Sequence, residues 1–153
     1  MDAVVKKCQS MLGVLRKASH CLPKRLLRLA YICLVRSHLE YCSATFCNAS
    51  RTQLKKLDTI QKIGSRVICG APRDAHSEPL LQSLQLESLE SRRCKHVIQI
   101  VDAILEKKCH PALLDMFTKM TDGTVVNAQT ARLNIGKKRF SIAAKEIYNK
   151  AHR

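Results

Sequence analysis

Residues 50–72 read SRTQLKKLDTIQKIGSRVICGAP. Ser50 followed by Gln53 has the capping-box form that opens a helix, and Gly70 with Pro72 supplies the stop. At about 100° per residue, Leu54, Leu57, Ile60, Ile63, Val67 and Ile68 occupy one half of the helical wheel. Arg51, Lys55, Lys62 and Arg66 gather within about 60° on the other half, and only Asp58 interrupts them, at the margin. The stretch therefore predicts a helix to about Cys69 with one face in a core and a basic stripe turned away from it.

The same 3.6-residue period extends in both directions. Toward the N-terminus, Val4, Val5, Cys8, Met11, Leu12 and Leu15 predict an amphipathic helix from Val4 to Ala18. Pro23 suits the first turn of a second helix with Leu26, Leu27, Ala30, Cys33 and Leu34 as its core face and Arg25, Arg28 and Arg36 opposite. Leu39, Tyr41 and Phe46 prolong the apolar character, which makes this the most buried element expected. Toward the C-terminus, GAPRDAHSEP is turn-rich, and Pro79 to Leu84 is one short helical turn. Ser88 to Lys108 is a long helix whose core face is Leu89, Cys94, Val97, Ile98, Val101, Ile104 and Leu105. Its outer face mixes Arg92, Lys95, Asp102 and Glu106, a solvated pattern. Pro111 to Met120 reads as a short helix. From Thr121 to Gly136 the period is lost, so a loop or a marginal hairpin around Val125 and Val126 is expected there. Lys138 to Ala151 closes the chain as a helix with Phe140, Ala143, Ala144, Ile147 and Tyr148 on one arc. The class that follows is mainly α, a compact bundle of five or six helices with an irregular loop near 121–136. The expected division is a helical domain over 1–120, with the loop and final helix of 121–153 packed on it.

Charge is the unusual property of the composition. Against 12 acidic residues stand 27 Lys and Arg, a formal +15, and the excess persists in every third of the chain. Hydrophobic residues at 46% close the low-hydrophobicity route to disorder for most of the chain. A folded, evenly basic chain fits a polyanionic partner. No apolar run approaches the roughly 20 residues that span a bilayer, so no membrane partner is expected. The N-terminus MDAVVKKCQS lacks the form of a signal peptide, which points to an intracellular, nuclear or cytoplasmic setting with reduced thiols. Among the eight cysteines there is no C-x-x-C pair, so zinc spacing is absent and no metal is expected.

Catalytic signatures are equally scarce. Two-metal phosphoryl chemistry needs converging carboxylates, and no two acidic residues adjoin. The five glycines form neither G-x-x-x-x-G-K-[ST] nor G-x-G-x-x-G. Neither an enzyme nor a cofactor is expected. What remains is the basic surface. Arg51, Lys55, Lys62 and Arg66, at i, i+4, i+11 and i+15, suit phosphates spaced along a backbone, with Arg25, Arg28 and Arg36 as a second set. Cations on the back of a core helix often do no more than solvate it; the net charge of +15 tilts the reading toward binding. Aromatic residues are 4% and Trp is absent, which favours backbone and duplex-shape contacts over base stacking.

Four segments carry a family likeness: LGVLRKASHCLPKRLLRLAYICLVRSHLEYCSATF, LKKLDTIQKIGSRVICG, LLQSLQLESLESRR and RFSIAAKEIYNK. In this order they resemble the region after the catalytic palm in LINE-type (non-LTR) retrotransposon reverse transcriptases. The resemblance implies a helical thumb with a C-terminal extension that contacts template and primer backbone, RNA, DNA or hybrid duplex. It departs from the family at Ser37, where proline is typical, and at Phe46 and Tyr148, where tryptophan is usual. The palm and its paired aspartates are missing, so the resemblance implies no polymerase activity in this chain. A different class of function also fits: a helical interaction domain that docks on a palm domain or on itself, or a vestigial retroelement product.

Overall fold

In the computed structural model, which describes residues 2–120, 124–127 and 140–152, the chain is mainly α and divides into two compact units. The first unit is 1–41 with 49–91, and the second is 42–48 with 92–153. Residues 92–120 cluster with the C-terminal helix, not with the first helices.

In the first unit, α1 (Asp2–Ala18) buries Cys8, Leu12 and Leu15, the i, i+4, i+7 positions of its apolar stripe. It packs on α2 (Lys24–Tyr31) and on α4 (Arg51–Cys69). Helix α4 begins where Ser50 accepts the Gln53 amide and ends at Gly70, φ 62°, where the Ala71 amide reaches back to the Arg66 carbonyl at 3.0 Å. Leu57, Ile60, Val67 and Ile68 are buried as expected, while Leu54 and Ile63 are half-buried. Three small or polar residues join them: Gln61, Gly64 and Ser65. Gly64 has a steric reason, since a Cβ there would run into the ring of the fully buried Tyr31. Gln61 works as a bracket. Its Nε2 donates to the Glu87 carbonyl at 2.8 Å and its Oε1 accepts the Leu89 amide at 3.2 Å, satisfying an orphan donor of α6 (Leu89–Leu105). The short α5 (Ser77–Ser83) buries Leu81 against this layer.

Helix α2 is where sequence and structure part. It passes into a π-helical turn over Ile32–Arg36 and then α3 (Ser37–Glu40). The buried residues are Leu27, Tyr31, Val35, Arg36 and Leu39, whereas Leu26 and Leu34 are 47% and 42% exposed. The expected core face is off by one position. KRLLRLAYICLVR carries apolar residues nearly all round, so its period admits two phases, and the close approach of Tyr31 to Gly64 selects the second. The π turn carries one extra residue, which brings Val35 and Arg36 both inward.

The second unit is built on the later part of α6. Val97, Val101 and Ile104 meet Ala44, Phe117, Val125, Ala144 and Tyr148 in one apolar cluster. A 3₁₀ turn over Ser43–Asn48 contributes Ala44, and Ser43 Oγ pairs with His96 Nδ1 at 2.7 Å. The helix expected over 111–120 is corrected: a 3₁₀ turn ends at Met116, and β1 (Phe117–Lys119) pairs antiparallel with β2 (Val125–Asn127). Such a short helix could bury little, whereas Phe117 and Val125 in extended form both reach the cluster. Helix α7 (Phe140–Ala151) holds the hairpin by Asn149, which accepts the Val125 amide at 2.8 Å and donates to the Val125 carbonyl at 3.0 Å. The rest of the loop expected near 121–136, and Lys138 and Arg139, lie outside the described residues.

Candidate nucleic-acid interface

The outer face of α4 is the basic stripe. Arg51, Lys55 and Lys62 are exposed, and Arg66 is half-buried. From Arg51 to Arg66 the helix rises about 22 Å, the length of roughly six base steps of one strand. Lys56, just off the stripe, is tied to Asp2 at 2.8 Å, and this contact holds the Asp2 carboxyl below its ordinary range. Asp58 is half-buried at the margin.

Arg66 differs from the other three. Its Nε donates to the Ala75 carbonyl at 2.9 Å, which fixes the plane of the guanidinium. It borders a cleft of about 670 Å³ lined by Arg16, Ser19, His20, Ile63, Val67, Gly70, Ala71 and Arg73. Sequence reading missed this grouping. Arg16 is in the last turn of α1 and Arg73 is in the turn after α4, and only the packing of α1 on α4 gathers them. Nothing in their spacing announces it.

The second set of arginines separates. Arg25 is exposed. Arg28 is half-buried and its Nε donates to the Leu84 carbonyl at 2.6 Å. Arg36 is only 7% exposed; it is ion-paired with Glu40 through Nε and donates through Nη2 to the Glu87 carbonyl at 3.2 Å. The assignment of Arg36 as a surface phosphate contact is therefore corrected, and that of Arg28 weakened. A buried guanidinium needs its partners, and a phosphate would have to displace them. Both arginines instead fasten the segment 84–87 to the α2–α3 region.

The cysteines at 8, 21, 33, 42, 69, 94 and 109 are unpaired. Among the described residues no three His, Cys, Asp or Glu side chains converge as a metal site. No helix there is long and apolar enough to cross a membrane.

No family model, curated protein or solved structure matches this chain.

Proposed function

We propose that the chain is a nucleic-acid-binding module without catalysis of its own, similar to the thumb and post-palm region of a LINE-type reverse transcriptase. The observation that carries this reading is the separation of α4 into a buried apolar face and an outer face bearing the exposed Arg51, Lys55 and Lys62 and the half-buried Arg66. A net charge of +15 supplies long-range attraction to a polyanion, and the stripe supplies contacts in register with a backbone. Phosphate contacts of this kind hold RNA, DNA or hybrid duplex without reading bases.

Binding to hybrid duplex, double strand and single strand across a salt series tests the proposal. Changing Arg51, Lys55 and Lys62 together to Gln leaves the core face and the Arg66–Ala75 contact in place. The slope of log affinity against log salt then falls by up to about three units on a duplex, while stability is kept. The matched change of Arg92, Lys95 and Lys107 does much less. Equal loss from both triples would reduce the stripe to diffuse charge.

A second reading has its own support. On α2, Leu26 and Leu29 are 47% and 55% exposed, and Leu22 just before the helix and Leu34 in the π turn after it are 38% and 42% exposed, an apolar surface suited to docking a partner. That reading predicts association that is insensitive to salt, and it prevails if no nucleic acid binds.

A further inference from the structure

The cleft at the end of the α4 stripe has a charge that its structural duties do not explain. Three arginines and a histidine line it, and none of the described residues lining it is acidic. Both α1 and α4 end there, so basic side chains are expected to complement the two helix dipoles. Two helix C-termini amount to about −1 together, whereas Arg16, Arg66 and Arg73 supply three positive charges. Nor are the arginines needed as caps. The Leu15 carbonyl is met by the Ser19 amide, the Arg16 carbonyl by Ser19 Oγ, and the Ala18 carbonyl by the Cys21 and Leu22 amides. On α4, Ala71 and Gly70 amides meet the Arg66 and Val67 carbonyls.

Surplus cations around a concavity call for an anion. Arg66 is oriented by its Nε bond to Ala75, which leaves both Nη groups as donors for a fork-shaped contact with phosphate oxygens. Ile63, Val67 and Ala71 give the same cleft an apolar wall. Its volume of about 670 Å³ exceeds what a bare phosphate needs and lies in the usual range for small-molecule sites. A nucleotide, phosphate on the arginines and sugar or base on the wall, matches both halves. Lys62 and Arg66 are one helical turn apart, so a strand that follows the stripe arrives at the cleft. An internal phosphodiester carries one negative charge; a terminal monoester carries about two and is the better match for three guanidiniums.

We infer that the Arg16–His20–Arg66–Arg73 cleft holds the terminal phosphate of the strand that lies along α4. The inference rests on the nucleic-acid reading and extends it from a face to an end. Strands with a 5′-phosphate, a 3′-phosphate or only hydroxyl ends, labelled at the far terminus, are titrated with the full chain, alongside a nucleoside monophosphate alone. The second protein is Arg16→Gln with Arg73→Gln, since both side chains are exposed and their removal disturbs no helix cap. One phosphorylated terminus is expected to bind about tenfold tighter than the hydroxyl form, as one added charge-assisted contact allows. The double variant loses that preference while it still binds hydroxyl-ended strands. Equal binding of all termini by the native protein overturns the inference and leaves the stripe standing. If the monophosphate binds and no strand does, the cleft is a free-nucleotide site, and both the strand-end assignment and the nucleic-acid reading are wrong. If neither binds, both fall together. A preference that survives in the double variant places the terminal phosphate elsewhere and also overturns it.

Discussion

Tyr31 and Gly64 show how much one contact can decide. The tyrosine ring fills the space that a side chain at 64 would take, and its hydroxyl is buried with no hydrogen-bond partner among the described residues. Gly64→Ala should therefore destabilise the first unit by about 1–3 kcal/mol through overpacking. The same change made beside Tyr31→Leu should cost measurably less, and denaturant titration of the four proteins in the cycle reads the coupling. Tyr31→Phe removes only the unpartnered oxygen and should be neutral or stabilising by up to about 1 kcal/mol. A pH effect accompanies it. Burial pushes the Tyr31 phenol well above its ordinary value of 10.0, so above pH 10 the unfolded chain gives up this proton and the native one keeps it. Stability is thus complete below 10 and declines as pH rises past it, and Tyr31→Phe should show a smaller alkaline decline. None of this was legible beforehand. A lone glycine in a helical pattern has no visible partner until the tertiary neighbour is known, and Arg36 looked like a surface cation because its burial depends on Glu40 and on the Glu87 carbonyl.

Among elements, legibility follows how local the signal is. Helix α4 was readable to within a residue because Ser50, Gln53, Gly70 and Pro72 act within one turn of its ends. Helix α2 was readable as a helix but not in rotation, because its apolar residues nearly encircle it. The ends of α5 and α6 gave no glycine signal at all. Gln85 and Lys107 stand in left-handed conformation, φ 51° and 57°, with the Leu86 amide on the Leu81 carbonyl and the Lys108 amide on the Ala103 carbonyl, each 2.9 Å. These are glycine-type helix stops made with side-chain-bearing residues. Gln85→Gly and Lys107→Gly should each stabilise the protein by up to about 1 kcal/mol, the left-handed strain less the added freedom of the unfolded chain. An increase in thermal midpoint for each, additive in the pair, is the expected reading, since the two positions belong to different units. A decrease would mean that Gln85 or Lys107 makes a contact worth more than its backbone strain. The stripe of α4 was legible because it needed only the helix. The cleft was not, because it needs two helices packed and a turn beyond them.

For the whole molecule the dominant quantity is the charge of +15. At low ionic strength such a chain repels itself in the compact state, and screening relieves the repulsion. The thermal midpoint should rise as salt increases from about 10 to 150 mM, over which the screening length falls from about 30 to 8 Å. Inorganic polyphosphate should raise it further at constant ionic strength, because an anion that binds the native state stabilises it by mass action. A midpoint that falls with salt would assign more of the stability to surface ion pairs such as Lys56–Asp2 than to the relief of repulsion. Composition made this scale the most legible of the three: charge and helical class both follow from counting and period. The grouping into units did not follow, because it depends on which core residues 92–120 and the seven residues Cys42–Asn48 join.

Those seven residues also govern how the protein can be dissected. They lie between two segments of the first unit yet belong to the second, where Ala44 sits in the apolar cluster and Ser43 meets His96. Cutting the chain after Ser91 therefore does not yield two intact halves: the C-terminal fragment lacks part of its own interior, and the N-terminal fragment carries a loop with nowhere to dock. During synthesis the same loop leaves the ribosome before its destination exists, and it must stay unassigned until α6 and α7 have followed. A short peptide spanning Cys42–Asn48 is the natural complement to add back to the C-terminal piece.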